Sequence, residues 1–169
     1  KLDGNYPTGT ANVALGDTAL DDGSLSGGYN TAAGSGALSA NTSGTQNTAV
    51  GATSSDANTT GSYNSGFGQS SLGSNTTGSS NTGLGRGALS ANTTASNNTA
   101  AGYNALAANT TGAGNTAVGS LSLDANTTGD FNSAFGVNAL STNTTADGNS
   151  GFGYQALYSN TTGAKNVSV

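Results

Sequence analysis

The sequence predicts an all-β protein: a parallel β-solenoid, of β-roll or β-helix type, that winds once every 17 residues and has no helices of note. Three observations predict it. An asparagine recurs at Asn30, Asn47, Asn64, Asn81, Asn98, Asn115, Asn132, Asn149 and Asn166, always with a step of 17 residues. A glycine follows four residues after each of the first eight, from Gly34 to Gly153. Large apolar residues are scarce and only 7% of the chain is charged, which is far from the composition of an ordinary globule. A fixed period of this size marks a stacked repeat, because one short unit cannot bury its own apolar face and needs neighbours above and below. Low hydrophobicity alone would read as disorder, but a disordered chain has no physical reason to keep Asn, Gly and Leu in phase.

Residues 1–11 lie outside the repeat, carry the sole proline, Pro7, and read as an N-terminal lead-in or cap. The solenoid then spans 12–169, about nine coils, the last incomplete and expected to expose an unpaired strand edge. Its first unit is irregular. Asn12 stands 18 residues before Asn30, and Asp21-Asp22-Gly23 replaces the Ala and Asn of later copies, as terminal repeats often do.

From Asn30 the columns read directly. After Thr or Ser and then Ala or Gly comes an apolar column, Ala33, Val50, Phe67, Leu84, Ala101, Val118, Phe135 and Phe152, followed by the glycine. A second apolar column follows, Leu38, Leu72, Leu89, Leu106, Leu123, Leu140 and Leu157, interrupted by Ser55. Short alternating segments between glycines are strand-like, whereas a helix would have to tolerate two Gly and several Asn and Thr in every copy. Both apolar columns are expected to face inward as a thin core. Two columns of small residues, Ala49, Gly66, Gly83, Ala100, Ala117, Ala134 and Gly151, and Ala37, Ala88, Ala105, Ala139 and Ala156, fit either a narrow coil or close approach of another chain.

A second asparagine column runs Asn41, Asn58, Asn75, Asn92, Asn109, Asn126, Asn143 and Asn160. Both asparagine columns are expected to stack as ladders, each side-chain amide bonding to the same group one rung away. Stacked strands then give about 4.8 Å of rise per coil and a rod of roughly 45 Å.

The chemistry of the chain is sparse. There is no His, Cys or Glu, so the usual general bases, thiol nucleophiles and transition-metal ligands are missing, and no enzyme, cofactor or metal site is expected. Asp21, Asp56 and Asp124 share one column and Asp130 and Asp147 another; these read as solvated turn residues rather than a carboxylate pair for acid-base work or Ca²⁺. The net charge is -5, and Lys1, Arg86 and Lys165 are too far apart to neutralise a run of phosphates, which argues against nucleic acid. No apolar run approaches the roughly 20 residues that span a bilayer.

Each Asn of the second column begins an Asn-Thr-Thr or Asn-Thr-Ser triplet, the N-glycosylation pattern, but asparagines about 5 Å apart on adjacent rungs leave no room for a glycan on each. The unbroken column Thr42, Thr59, Thr76, Thr93, Thr110, Thr127, Thr144 and Thr161 raises ice binding as an alternative function for a flat threonine-bearing solenoid. Tyr63, Tyr103, Tyr154, Tyr158 and Phe131 fall in variable columns and are expected at the surface, as packing over corners or as patches for a glycan or protein. Phe67, Phe135 and Phe152 are expected in the core.

The pentads Asn12-Val13-Ala14-Leu15-Gly16 and Asn115-Thr116-Ala117-Val118-Gly119 resemble the Asn-Ser-Val-Ala-Ile-Gly type repeat in the head domains of trimeric autotransporter adhesins. The full unit, as in Asn98 to Gly112, looks more like the 17-residue repeats of bacterial and phage tail-fibre-like surface proteins that often precede an endosialidase-type chaperone domain. The resemblance covers about residues 12–169, and adhesin heads have a shorter repeat. It implies a trimeric left-handed parallel β-roll that binds host matrix or surfaces. The expectation for function is an extracellular structural subunit, the shaft of a surface fibre or virion appendage. Its partners are expected to be copies of itself, as a trimer or a head-to-tail filament, with a host surface or glycan as a further partner.

Overall fold

The structure, a computed structural model, describes residues 9–169. Most of the lead-in expected over residues 1–11, Pro7 included, lies outside the described residues. The rest is one parallel sheet wound into a solenoid of about nine turns, with no helix among the described residues. Its strands are β1 (Val13–Leu15), β2 (Thr31–Ala33), β3 (Thr48–Val50), β4 (Ser65–Phe67), β5 (Thr82–Leu84), β6 (Thr99–Ala101), β7 (Thr116–Val118), β8 (Ser133–Phe135), β9 (Ser150–Phe152) and β10 (Val167–Ser168). They pair in chain order, and the register sets each column on itself: Thr48 beside Ser65, Ala49 beside Gly66, Val50 beside Phe67.

Counting the leading asparagine as position 1, the strand fills positions 2–4 and a glycine at position 5 ends it. Gly119 has φ +133°, and a Cβ there would lie 2.4 Å from the Gly136 carbonyl oxygen of the next coil. The coils approach too closely at this corner for any side chain. Positions 7 and 9 then take the left-handed conformation, with glycine at position 7 in the coils of Gly36 and Gly87 and with other residues elsewhere, as in Asn104 (φ 50°) with Leu106 (φ 53°) and Asn138 (φ 57°) with Leu140 (φ 53°). This conformation is uncommon for non-glycine residues and worst for β-branched ones, and position 9 holds Leu or Ser, never Val or Ile. Position 17 is left-handed as well, at Gln46, Tyr63 and Phe131.

Backbone bonds join the coils around the whole circumference. Leu38 N–H donates to the Ser54 carbonyl at 3.1 Å and Thr42 N–H to Thr59 at 2.9 Å, while Gly51 N–H donates back to Ala33 at 2.8 Å. Such complete pairing is what lets a chain with so little apolar surface bury its backbone.

The interior differs from expectation in one column. The leucines of position 9 from Leu38 to Leu140 are fully buried, as expected, and Leu157 packs against them half-buried. The first apolar column does not face inward. Val50, Phe67, Leu84, Val118, Phe135 and Phe152 point to solvent, and the small residues of position 3, such as Ala49, Ala100, Ala117 and Ala134, fill the core in their place. A three-residue strand turns only its middle residue inward, and there the interior already holds a leucine and two asparagines per coil, leaving room for a methyl group or a hydrogen. The small residues of position 8, Ala37, Ala88, Ala105, Ala139 and Ala156, are buried too. Both small columns therefore serve the narrow coil and are closed to another chain.

The apolar core falls into two clusters, one running from Ala19 to Ala49 and one from Leu72 to Leu140. The gap is the coil of Ser54 and Ser55. Ser54 Oγ donates to the Gly66 carbonyl at 3.1 Å, but Ser55 Oγ is buried with no partner. At the irregular first coil the extra residue is taken up by a tight turn in which Asp22 Oδ1 accepts the Ser24 N–H at 2.8 Å and the Ser24 hydroxyl. Leu25 is buried just past that turn, at the level where later coils place the second asparagine.

Candidate interaction surface

The two asparagine columns are buried and continuous, but they are built differently. In the column of Asn30, Asn47, Asn64, Asn81, Asn98, Asn115, Asn132 and Asn149, each side-chain oxygen accepts the backbone N–H of the next asparagine: Asn47 N–H reaches Asn30 Oδ1 at 2.9 Å and Asn98 N–H reaches Asn81 Oδ1 at 3.0 Å. From Asn30 to Asn132 each Nδ2 donates to the position 15 carbonyl of its own coil, Asn98 to Gly112 at 2.8 Å, whereas Asn149 Nδ2 is buried with no partner. The expected amide-to-amide stacking is thus replaced here by a side-chain-to-backbone ladder, because the asparagine N–H just ahead of each strand faces the preceding coil and needs an acceptor.

The column of Asn41, Asn58, Asn75, Asn92, Asn109, Asn126, Asn143 and Asn160 is the amide ladder proper. Asn58 Nδ2 donates to Asn41 Oδ1 at 2.9 Å and Asn109 Nδ2 to Asn92 Oδ1 at 3.0 Å. The same nitrogens also reach the position 15 carbonyl, Asn58 to Gly61 at 3.0 Å, where Asn47 Nδ2 arrives from the other column at 2.8 Å. Both ladders converge on that one oxygen, and a Cβ on Gly61 would lie 2.5 Å from Asn58 Oδ1. From Asn41 to Asn143 these asparagines are fully buried, so the glycosylation pattern they spell is sealed inside the fold.

The threonine column is no free array of hydroxyls. Thr42, Thr59, Thr76, Thr93 and Thr110 are half-buried, and each Oγ1 donates to the next threonine's carbonyl, Thr93 to Thr110 at 3.1 Å; Thr127 does the same toward Thr144, and Thr144 and Thr161 are exposed. The column lies on a bend, outside the strands. The hydroxyl row on the outer face of the sheet is position 2, Thr48, Ser65, Thr82, Thr99 and Thr116 among others.

A further ladder escaped the sequence reading. At position 16, Thr45 N–H donates to Ser62 Oγ at 3.0 Å, Ser62 N–H to Ser79 Oγ at 3.1 Å, Ala113 N–H to Asp130 Oδ1 at 2.7 Å and Asp130 N–H to Asp147 Oδ1 at 2.8 Å. Its signal was present as a column rich in short acceptors, Thr45, Ser62, Ser79, Ser96, Asp130 and Asp147, interrupted by Ala113 and Ala164. Asp130 and Asp147 are therefore used as turn acceptors, and no group of three or more potential metal ligands occurs among the described residues. Asp56 lines a shallow groove with Thr53, Ser70 and Ser90, opened where Gly73 lacks a side chain, and burial there raises its carboxyl above the usual range. Asp22 is held below that range, first by the Ser24 hydroxyl and then by the Ser24 N–H.

Tyr63, Tyr103, Tyr154, Tyr158 and Phe131 are exposed, as expected. Arg86 lies 5.7 Å from the centre of the Tyr103 ring, and the Phe131 ring occupies the space that a side chain at Gly114 would need. The main apolar surface is instead the outward file of position 4. Phe67 (39% exposed), Leu84 (50%) and Phe152 (42%) stand in it, and the rings of Phe135 and Phe152 stack at 5.3 Å. Phe67, Phe135 and Phe152, expected in the core, are surface residues.

These features define a parallel β-solenoid of stacked 17-residue coils held by polar ladders. No family model, curated protein or solved structure matches the chain. Among the described residues no helix is long and apolar enough to cross a membrane.

Proposed function

We propose that the chain is a structural subunit of an extracellular surface fibre, a shaft assembled from copies of itself. The observation that carries this reading is that each coil's interior is filled by its own stacked Asn, Leu and small side chains. Every interior junction between coils also repeats the same bonds, so a junction between two chains can reuse the pattern that joins two coils. The outer surface adds an uninterrupted apolar file along the rod, suited to lateral contact. Within this reading the exposed aromatic residues are the candidates for contact with a host surface or glycan.

Electron microscopy of the purified chain over a range of concentrations tests the proposal. Filaments that lengthen with concentration are expected. Isolated rods of roughly 45 Å at every concentration would remove it.

A further inference from the structure

The outward apolar file carries a size pattern. Successive strands place Ala33, Val50, Phe67 and Leu84 side by side, and the next four coils repeat the order as Ala101, Val118, Phe135 and Phe152. The file therefore runs small, medium, large, large, twice over. No charged residue stands at position 2 or position 4 anywhere from Val13 to Phe152.

We propose that this face docks a second copy of the chain, antiparallel, about a two-fold axis that runs along the strand direction between β5 and β6. That operation reverses the order of the coils and lays position 4 on position 4 and position 2 on position 2. Ala33 then faces the second copy's Phe152, Val50 faces Phe135, Phe67 faces Val118 and Leu84 faces Ala101. In each of these pairs a large side chain meets a smaller one, the apolar file seals against itself, and the Thr and Ser row meets its own kind. The contact is self-complementary, as a two-fold interface must be.

Other arrangements fit worse. Any symmetry axis along the rod brings equal coils to the same height, so that the coil of Phe67 packs against its own copy and the coil of Ala33 leaves a gap against its own. A two-fold along the rod also sets the apolar file over the hydroxyl row. Eight rungs about 4.8 Å apart, on a face about 15 Å across with its flanking turns, present roughly 600 Å² on each copy. The pair buries about 1,200 Å², at the lower end for a specific protein interface. Surface residues make this contact, so it is separable from the fold, and it does not depend on the fibre reading.

Since the chain has no cysteine, single thiols can be placed at will. Val50→Cys and Phe135→Cys are made separately and treated, alone and mixed, with a thiol crosslinker spanning about 10 Å, the usual separation of packed sheets. Crosslinked dimer is expected in the mixture, whereas each variant alone stays uncrosslinked, because like positions then lie about 24 Å apart along the paired rods. Crosslinking of Val50→Cys to itself, or none in the mixture, overturns the proposal. Under conditions where rods do not join end to end, light scattering should give a wild-type mass twice 16.1 kDa. Phe67→Ser combined with Phe135→Ser should halve that mass with an unchanged circular dichroism spectrum. A wild-type monomer or trimer, or a double variant that stays dimeric, counts against the pairing. Filaments without the mixed crosslink would leave the fibre reading standing and remove the pairing; the mixed crosslink without filaments would do the reverse.

Discussion

Ser55 is a break in the molecule's interior. It sits where other coils place leucine, between Leu38 and Leu72, and its buried hydroxyl has no partner. Ser55→Leu removes an unsatisfied polar group and joins the two apolar clusters, so it should stabilise the fold by about 1–3 kcal/mol. Chemical denaturation measures this, and a loss of stability would show that the gap cannot take so large a side chain. The neighbouring Asp56 has a folded pKa raised by burial above its unfolded value. Its charged form therefore weakens the fold at neutral pH, and that penalty is relieved as pH falls through the raised folded pKa toward the unfolded one. Asp56→Asn should raise the midpoint of urea unfolding at pH 7 and lose its advantage near pH 3; an equal gain at both would exclude a titration effect. Residue types were legible from the repeat and side-chain direction was not. The rule that large apolar side chains go inside misplaced Phe67, Phe135 and Phe152, because the interior is already occupied by asparagine and leucine.

At the scale of the element, the strand is only three residues long and owes its limits to its ends. Asparagine opens it by accepting the next coil's N–H, and glycine closes it by letting adjacent coils nearly touch. Gly119→Ala forces a Cβ against the Gly136 carbonyl at a φ that suits only glycine, and should cost about 2–4 kcal/mol by urea unfolding. An effect below about 0.5 kcal/mol would show that the corner is looser than this geometry. The parallel strands, their one-coil register and the glycine corners were all legible in the period. The left-handed turn at Leu106 and its equivalents was not, since leucine carries no local signal for positive φ. The position 16 ladder was legible in principle, because Ser62, Ser79, Ser96, Asp130 and Asp147 are all short acceptors.

Across the whole molecule, polar columns do what a broad apolar core does elsewhere. Most coils contribute one leucine and at most two methyl groups to the interior but two asparagines, and the asparagine ladders repeat the same bonds from coil to coil. A stack of this kind gains stability by nearest-neighbour addition. The claim on which this rests is that the asparagine side chains are locked between coils. Hydrogen exchange of the side-chain Nδ2 protons, read by NMR on ¹⁵N-labelled protein, measures that most directly. Protons of Asn98, Asn109 and Asn126 should exchange at least about a thousandfold more slowly than those of the exposed Asn97. Exchange at the rate of Asn97 would mean that the ladders are open to water and do not hold the rod together.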